Sequence, residues 1–302
     1  MAEPIPQTTS TDMKYKYINT TAAYDQWASV YDTDGNFLQA LDTIEMRALF
    51  PTFLDELDKA FPTSSEGSTS RKDGPSSGEE PTPPLRNPAR RKIVDLGCGT
   101  GRNTTALLPL LNTEIIALDA SPGMLDVARK RIQAIQSTLY NSVPGPDSSP
   151  PSNSTSSLTS AVVYFEVFDL ISSPTPPPSS LSAHAIISTL VIEHIPTHTF
   201  FAQASAILRP GGILLITNMH SDMGAISQAG FIDPVTGEKV RPVSYAHTVE
   251  EVVRTAEECG LDVVGGVKET MVEESMVERL GRRSGKWVGV TVWFGGLFRK
   301  RA

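Results

Sequence analysis

The stretch Val94–Arg102, which reads VDLGCGTGR, decides the fold of this 302-residue chain. A short apolar segment at 92–96 runs into three glycines spaced as GxGxG, and a helical segment follows them. Because glycine has no Cβ, a strand–turn–helix unit of this kind lets a ligand approach the backbone closely. The dinucleotide fingerprint needs Gly or Ala where Arg102 stands, which disfavours a nicotinamide oxidoreductase. The stretch predicts a ligand at this strand end, with an unliganded glycine-rich turn as the alternative.

Apolar segments alternate with helical ones from this stretch onward. The predicted strands lie at 92–96, 114–119, 161–168, 183–189, 213–218, 262–267 and 287–294, with a turn, RPGG, at 209–212 before the fifth. Strands that alternate with helices at this spacing predict an α/β fold, with a seven-stranded, mostly parallel Rossmann-like sheet and helices on both faces. A Glu-rich helical piece at 271–280 precedes the last strand, so we expect that strand to be antiparallel.

The first 61 residues predict an N-terminal tail and a helical lid. Residues 1 to about 18 are predicted to be a flexible tail, and the helical pattern runs from Thr20 to Phe61. Apolar side chains recur on one face of this segment, and Pro51 interrupts the pattern.

Three Pro/Ser-rich stretches bury too little apolar surface to offset their ordering entropy. They predict a disordered linker at 62–91 and disordered insertions at about 141–160 and 172–182 within the main domain, 92–302. In the same domain the segment 230–247 predicts a hairpin that caps the strand ends, although a surface hairpin is an equal alternative.

Two aspartates follow the second and third predicted strands. Asp119 is placed to accept hydrogen bonds from a ribose diol, and Asp169 from an adenine exocyclic amine. Each residue alone is equally typical of a turn or a loop. Ligands of open α/β sheets bind at the carboxyl ends of the strands, so we expect both acids and the glycine loop to meet in one crevice.

The net charge, the cysteine count and the length of the apolar runs limit the classes of partner and the cellular compartment. The net charge of −8 disfavours nucleic acid as a partner, because nucleic-acid-binding proteins carry a basic face. Two cysteines are too few for a disulfide framework, and no apolar run reaches membrane-spanning length. These observations predict a cytoplasmic protein, with the nucleus as a second compartment and no membrane partner. The sequence gives no indication of the oligomeric state.

Five motifs resemble the successive motifs of class I S-adenosylmethionine-dependent methyltransferases: VDLGCGTGR, IIALDASPGML, FEVFDL, IISTLVIEHI and ILRPGGILLITN. The similarity is greatest to the small-molecule branch that includes ubiquinone and menaquinone biosynthesis methyltransferases, and AYDQWASVYD at 23–32 resembles the lid motif of that branch. The resemblance covers residues 24–218 outside the Pro/Ser insertions. It implies S-adenosylmethionine as cofactor and methyl transfer, by in-line displacement, to O, N, S or C of a small molecule such as a secondary metabolite or a quinone-like compound.

The resemblance also implies the residues that hold the cofactor. They are Tyr24, Trp27 and Tyr31 in the lid, Asp95, Gly97, Cys98, Gly99 and Gly101 at the methionine moiety, Asp119, Ala120 and Met124 at the ribose and adenine, Asp169 and Leu170 at the adenine edge, and Leu190 at the methionyl end. The aromatic residues of the lid, which have helical spacing, are equally typical of core packing.

His194, Tyr245 and His247 are the candidate catalytic residues, since each offers a proton acceptor or donor near the predicted crevice. The ends of the fourth and fifth strands lack the carboxylates of metal-dependent catechol methyltransferases, so we expect no metal. The main competing hypothesis is a non-catalytic S-adenosylmethionine-binding module that regulates a partner.

Overall fold

The computed structural model describes residues 15–62, 90–141, 161–233 and 235–302. The linker predicted at 62–91 and the insertion predicted at 141–160 lie almost entirely outside the described residues. Within the described ranges, no helix combines the length and the apolarity needed to cross a bilayer.

The strands in the described ranges are, in chain order, β1 (Tyr15–Tyr17), β2 (Arg91–Leu96), β3 (Thr113–Asp119), β4 (Val162–Val167), β5 (Ala183–Thr189), β6 (Leu208–Met219), β7 (Phe231–Ile232), β8 (Lys239–Arg241), β9 (Leu261–Met271) and β10 (Thr291–Lys300). Seven of them form one sheet in the order β4-β3-β2-β5-β6-β10-β9. β10 pairs antiparallel with both of its neighbours, and the other pairs of this sheet are parallel. The predicted seven-stranded sheet with an antiparallel last strand is confirmed.

Strand order reverses between β2 and β5, because β3 and β4 lie on one side of β2 while β6 lies beyond β5. Such a switch point leaves a crevice at the carboxyl ends of the strands, where open α/β sheets bind their ligands. The loops after β2, β3, β4 and β5 therefore open onto one edge of the sheet.

Helices cover both faces of this sheet. They are α1 (Thr20–Trp27), α2 (Phe37–Ala60), α3 (Arg102–Leu107), α4 (Pro122–Asn141), α5 (Thr197–Ile207), α6 (Ser221–Ile226), α7 (Val249–Glu258) and α8 (Val277–Leu280). Phe200 of α5 and Val252 of α7 belong to the apolar core on one face, whereas Phe53 of α2 and Leu107 of α3 belong to the core on the other.

Three sequence predictions about these elements are wrong. α2 continues through Pro51, because Phe53 and Leu57 beyond it are fully buried against the sheet and hold the helix together. The predicted turn at 209–212 is the first part of β6, where a register shift against β5 accommodates the glycines. The last strand starts at Thr291, since Trp287 ends a 3-10 helix, Arg282–Trp287, and is buried there.

Two segments that composition assigned to disorder are ordered in part. Tyr15–Tyr17, in the predicted flexible tail, forms β1 and pairs with β8, so that β1, β8 and β7 make a second, three-stranded sheet. In the segment 172–182, residues Pro178–Ser180 form a 3-10 helix. The Lys92 ammonium holds this helix by donating hydrogen bonds to the carbonyl oxygens of Ser179 and Leu181.

The buried carboxylate of Asp42 joins α2 to the sheet. Asp42 is fully buried and accepts hydrogen bonds from the Thr217 hydroxyl of β6 and, at 2.9 Å, from the Trp293 indole of β10. Its other oxygen accepts a 2.6 Å bond from the Arg102 guanidinium, directly after the glycine loop. One charged side chain therefore connects the N-terminal helices to two strands and to α3.

We expect the substitution Asp42→Ala to lower the free energy of unfolding by about 3–5 kcal/mol. The reason is that Thr217, Trp293 and Arg102 would lose the carboxylate that accepts their hydrogen bonds. Urea unfolding followed by circular dichroism measures the change. Asp55→Ala is the matched control, since Asp55 is exposed on the same helix. Equal stabilities of the two variants would contradict this role for Asp42.

Candidate active site

The three glycines of the loop after β2 have different structural roles. A Cβ on Gly97 would lie 2.4 Å from Cγ2 of Val191, so this glycine lets the ends of β2 and β5 approach each other. A Cβ on Gly99 would meet nothing within 4 Å, which leaves open space beside the backbone. A Cβ on Gly101 would lie 3.1 Å from Cβ of Ala128, so Gly101 allows α3 to pack against α4.

A cleft lies at the carboxyl ends of β2 to β5, and we call it the cofactor cleft. Of the residues that the sequence assigned to the cofactor, those that line it are Tyr24, Tyr31, Gly97, Gly99, Asp119, Ala120, Asp169, Leu170 and Leu190. His194, a catalytic candidate, lines it as well. The topology thus brings the glycine loop and both strand-end acids together.

Five predicted cofactor residues are placed elsewhere. Trp27 lines a neighbouring cavity, and Met124 is fully buried in the same apolar cluster as Trp27. Cys98 is buried against Ala117 and Leu125. These three side chains, together with Asp95 and Gly101, are absent from the described lining of the cleft.

Asp95, at the end of β2, connects this strand to α3 beyond the glycine loop. Its carboxylate accepts a 2.5 Å hydrogen bond from the Thr104 hydroxyl of α3. Burial raises the pKa of Asp95 to about 7.

Asp119 connects the end of β3 to the glycine loop. One carboxylate oxygen accepts a 2.8 Å hydrogen bond from the backbone N–H of Gly99, and the other accepts from the N–H of Ser121 at 2.8 Å. Burial raises the pKa of Asp119 to about 6, and these two hydrogen bonds oppose the rise because they favour the charged form. Asp169 similarly accepts from the Ile171 N–H and the Ser172 hydroxyl, which shapes the loop after β4.

A second cavity adjoins the cofactor cleft, and we call it the aromatic chamber. Its apolar side chains are Trp27, Phe37, Leu38, Met219, Met223 and Trp287. Tyr24, Tyr31 and Leu190 line both cavities and form the boundary between them.

Leu190 holds this boundary in a conformation that few residues adopt. Its φ is +58°, in the left-handed region that is unfavourable for a branched side chain. The backbone N–H of Leu190 donates a 2.9 Å hydrogen bond to the carbonyl oxygen of Thr217, which keeps the strained turn in place. Strained backbone of this kind is concentrated at ligand sites.

Known proteins match this chain over the same region. Residues 94–216 match the methyltransferase domain family. The chain is 45% identical to the uncharacterized methyltransferase AN0656 of Emericella nidulans over 297 residues, which cover 93% of this chain and 91% of that one. It is 35% identical over 136 residues to a trans-aconitate 2-methyltransferase of Methylobacterium nodulans, covering 44% of this chain and 39% of the relative. This chain belongs to the S-adenosylmethionine-dependent methyltransferases. It is therefore an enzyme that takes S-adenosylmethionine as cofactor.

A solved S-adenosylmethionine-dependent methyltransferase from Mesorhizobium loti has 18% identity and a TM-score of 0.46, covering 71% of this chain and 94% of its own.

In this methyltransferase, His194 fixes the Tyr24 side chain at the boundary. Nδ1 of His194 lies 2.7 Å from the carbonyl oxygen of Val243, which only accepts, so Nδ1 carries the proton. Nε2 is then an acceptor and receives a 2.7 Å hydrogen bond from the Tyr24 hydroxyl. Burial lowers the pKa of His194 to about 4, so the ring is neutral at physiological pH.

The other catalytic candidates of the methyltransferase do not line either cavity in the described chain. His247 is buried, and its Nε2 lies 2.9 Å from the carbonyl oxygen of Ile195. Tyr245 stacks on the His247 ring at 5.3 Å, and its backbone N–H donates to the carbonyl oxygen of Glu193 at 2.7 Å. These contacts position the segment after β5, and a catalytic role for either residue stays a prediction.

Glu193 is the acidic residue of the site that sequence reasoning missed. It is 4% exposed and lines the aromatic chamber, and its Oε2 has no hydrogen-bond partner among the described residues. Burial raises the pKa of Glu193 to about 8. The motif VIEHI drew attention to His194, yet only the 3-10 helix Ile192–His194 shows that the adjacent glutamate faces the chamber. Among the described residues, no group of three His, Cys, Asp or Glu side chains is arranged to hold a metal.

We expect Gly97→Ala to lower the free energy of unfolding by about 2–4 kcal/mol, because its Cβ overlaps Val191 and its φ is +74°. Adding Val191→Ala removes the overlap and should restore about half of the loss, which a double-mutant cycle measures. Gly289→Ala is the control for backbone strain alone, since its φ is +83° and a Cβ there meets nothing within 4 Å. Equal losses in Gly97→Ala and Gly289→Ala would contradict the contact.

The raised pKa of Glu193 predicts a pH-dependent difference in stability. The folded carboxyl holds its proton up to about pH 8, whereas the unfolded one releases it near 4.5. The protonated carboxyl therefore stabilises the fold fully below 4.5, and this contribution falls by about 1.4 kcal/mol per pH unit until pH 8. Glu193→Gln replaces the titrating carboxyl with a neutral amide. The free energy of unfolding of this variant relative to wild type should therefore rise between pH 5 and 8 in urea unfolding.

The exposed Glu238→Gln serves as the control for a charge change without burial. A Glu193→Gln difference that stays constant across this pH range would show that Glu193 is ionised in the folded enzyme.

Proposed function

We propose that the cofactor cleft binds S-adenosylmethionine, that the aromatic chamber holds the methyl acceptor, and that transfer takes place at the boundary formed by Tyr24, Tyr31 and Leu190. The observation that carries this proposal is that two separate cavities share these three residues and adjoin there. A second cavity beside the cleft favours catalysis over a module that only binds the cofactor.

The residues of the cleft fit this cofactor. Gly99 leaves the room beside its backbone that a methionine moiety needs, and Asp119 offers carboxylate oxygens at the end of β3 to ribose hydroxyls. Phe168, Leu170 and Ile171 supply an apolar wall for a flat adenine, and Asp169 lies beside them. Bound S-adenosylmethionine supplies a methyl group that is already activated as a sulfonium. The protein then has to align the acceptor and exclude water, and alignment alone lowers barriers by roughly 7–11 kcal/mol.

We propose that Glu193 is the general base for those methyl-accepting substrates that lose a proton during transfer. A general base works best when its pKa lies near the working pH, and burial places that of Glu193 at about 8. Only the ionised fraction of Glu193 can take the proton, and this fraction grows as the pH rises toward 8. His194 is the weaker candidate, because a pKa of about 4 makes its imidazole a poor base at neutral pH. Its role is to fix the Tyr24 hydroxyl. An acceptor without a proton to lose would need neither group.

The relatives suggest where a search for the acceptor starts. Since a relative is named a trans-aconitate 2-methyltransferase, trans-aconitate belongs in the first panel of acceptors, together with phenols, amines and thiols. We also propose a cytoplasmic location, which the free thiols of Cys98 and Cys259 support.

We expect Asp119→Asn to weaken S-adenosylmethionine binding about 10- to 100-fold, because hydrogen bonds to a charged group contribute about 1.5–3 kcal/mol. Isothermal titration calorimetry measures the affinity, and formation of S-adenosylhomocysteine with the acceptor panel measures turnover. Asp126→Asn, an exposed change on α4, is the control.

Unchanged affinity in Asp119→Asn, with unfolding temperature preserved, would overturn the assignment of the cleft. Tight binding without turnover across the panel would favour the non-catalytic module.

A further inference from the structure

Positive charge is concentrated on one wall of the aromatic chamber, although the whole chain carries a net charge of −8. Lys239 comes from β8, and Arg283 and Lys286 come from the 3-10 helix before β10. The pKa of Lys239 is lowered by burial and then by the charges of Arg241, Lys286 and Arg283. These groups repel one another, so a bound anion would relieve a cost that the empty fold carries.

The acids of the chamber neutralise this wall only in part: burial raises the pKa of Asp34, and the charge of Arg283 opposes that rise. Among the described residues, no carboxylate lies within ion-pair distance of Lys239, Arg283 or Lys286, and Arg283 donates instead to the backbone carbonyl of Asp34 at 2.6 Å. The carboxylate of Asp34 accepts from the Trp27 indole and from a backbone N–H, each at 2.9 Å. Glu193 is largely protonated at neutral pH. The two ammonium groups contact aromatic rings, Lys239 at 5.4 Å and Lys286 at 5.1 Å from the centroid.

The cations lie away from the reacting end of the chamber. Among the described residues that line the cofactor cleft none is a lysine or an arginine, and the boundary consists of Tyr24, Tyr31 and Leu190. The chamber also contains apolar side chains among its polar ones, and Phe37 stacks on Trp287 with ring centroids 6.0 Å apart. An acceptor that fits has an apolar body with an acidic group at one end and the methylated atom at the other.

We propose that the methyl acceptor carries an acidic oxygen group, a carboxylate or a phosphate, that is not itself methylated and is bound by Lys239, Arg283 and Lys286. This inference rests on the proposed function, since it names the substrate class of the same chamber. Ammonium and guanidinium groups form charge-assisted hydrogen bonds with such oxygens, and an aliphatic or aromatic body packs on the rings.

The test measures binding before turnover. The full-length enzyme, saturated with S-adenosylhomocysteine, is titrated with trans-aconitate, cinnamate, phenyl phosphate and the neutral cinnamamide. We expect cinnamate to bind at least tenfold more tightly than cinnamamide, and its affinity to fall as salt is raised from 0.05 to 0.5 M. The stronger of cinnamate and phenyl phosphate identifies the acidic group.

Three variants assign the effect to the wall. Lys239→Gln and the double variant Lys239→Gln/Lys286→Gln should weaken acid binding about tenfold or more and leave cinnamamide and cofactor affinity unchanged. Lys239→Arg should retain most of the affinity. Lys130→Gln removes the same charge from an exposed site on α4 and should change nothing. For any acceptor that turns over, the loss should appear in KM with kcat preserved, and mass spectrometry should find one acidic group unmethylated.

Two failures are distinguishable. If S-adenosylmethionine does not bind, the proposed function itself is wrong. If the cofactor binds but acids and amides bind equally, or no acid binds, or the lysine variants match Lys130→Gln, only the acidic-acceptor inference is overturned.

Discussion

The carboxylate of Asp42 is fully buried, and a buried charge destabilises the fold unless hydrogen-bond donors surround it. Those donors come from β6, β10 and the residue that follows the glycine loop. Burial of this one group therefore fixes α2 against the sheet. Because α2 begins at Phe37, in the wall of the aromatic chamber, the same constraint that stabilises the fold also shapes the acceptor cavity.

The close approach of Gly97 and Val191 has a comparable effect at the strand ends. It brings the loops after β2 and β5 together at the switch point, so Leu190 sits where the cofactor cleft and the chamber adjoin. Leu190 keeps an unfavourable φ there because its N–H is tied to β6. Local strain at this position is offset by the surrounding sheet, which an isolated loop of the same sequence could not provide.

The sheet and half of the cleft could be predicted because their signals are local. The glycine loop at Gly97 and the strand-end acid Asp119 can each be recognised from the strand directly before them and the helix directly after them in the sequence. The chamber could not be predicted, since Phe37, Lys239 and Trp287 are brought together only by tertiary packing. Met124 is buried in the core, and its predicted contact with adenine could not be judged from the sequence because helical spacing is the same for a core residue and for one that faces a cofactor. Likewise, propensity predicted a break at Pro51 that burial on both sides of it prevents.

The lysines of the aromatic chamber and the residues at the boundary with the cofactor cleft differ in charge. A sulfonium donor is a cation, and an ammonium group beside it would be repelled in a site of low dielectric. Aromatic faces and a carboxyl group are compatible neighbours, and these are what Tyr24, Tyr31 and Glu193 provide at the boundary and beside it. Lys239 lies among cations, and burial followed by the charges of Arg241, Lys286 and Arg283 lowers its pKa. β8 and the 3-10 helix before β10 carry the lysines, whereas the glycine loop and the strand ends line the cofactor cleft, so the two sets of residues come from different elements of the fold.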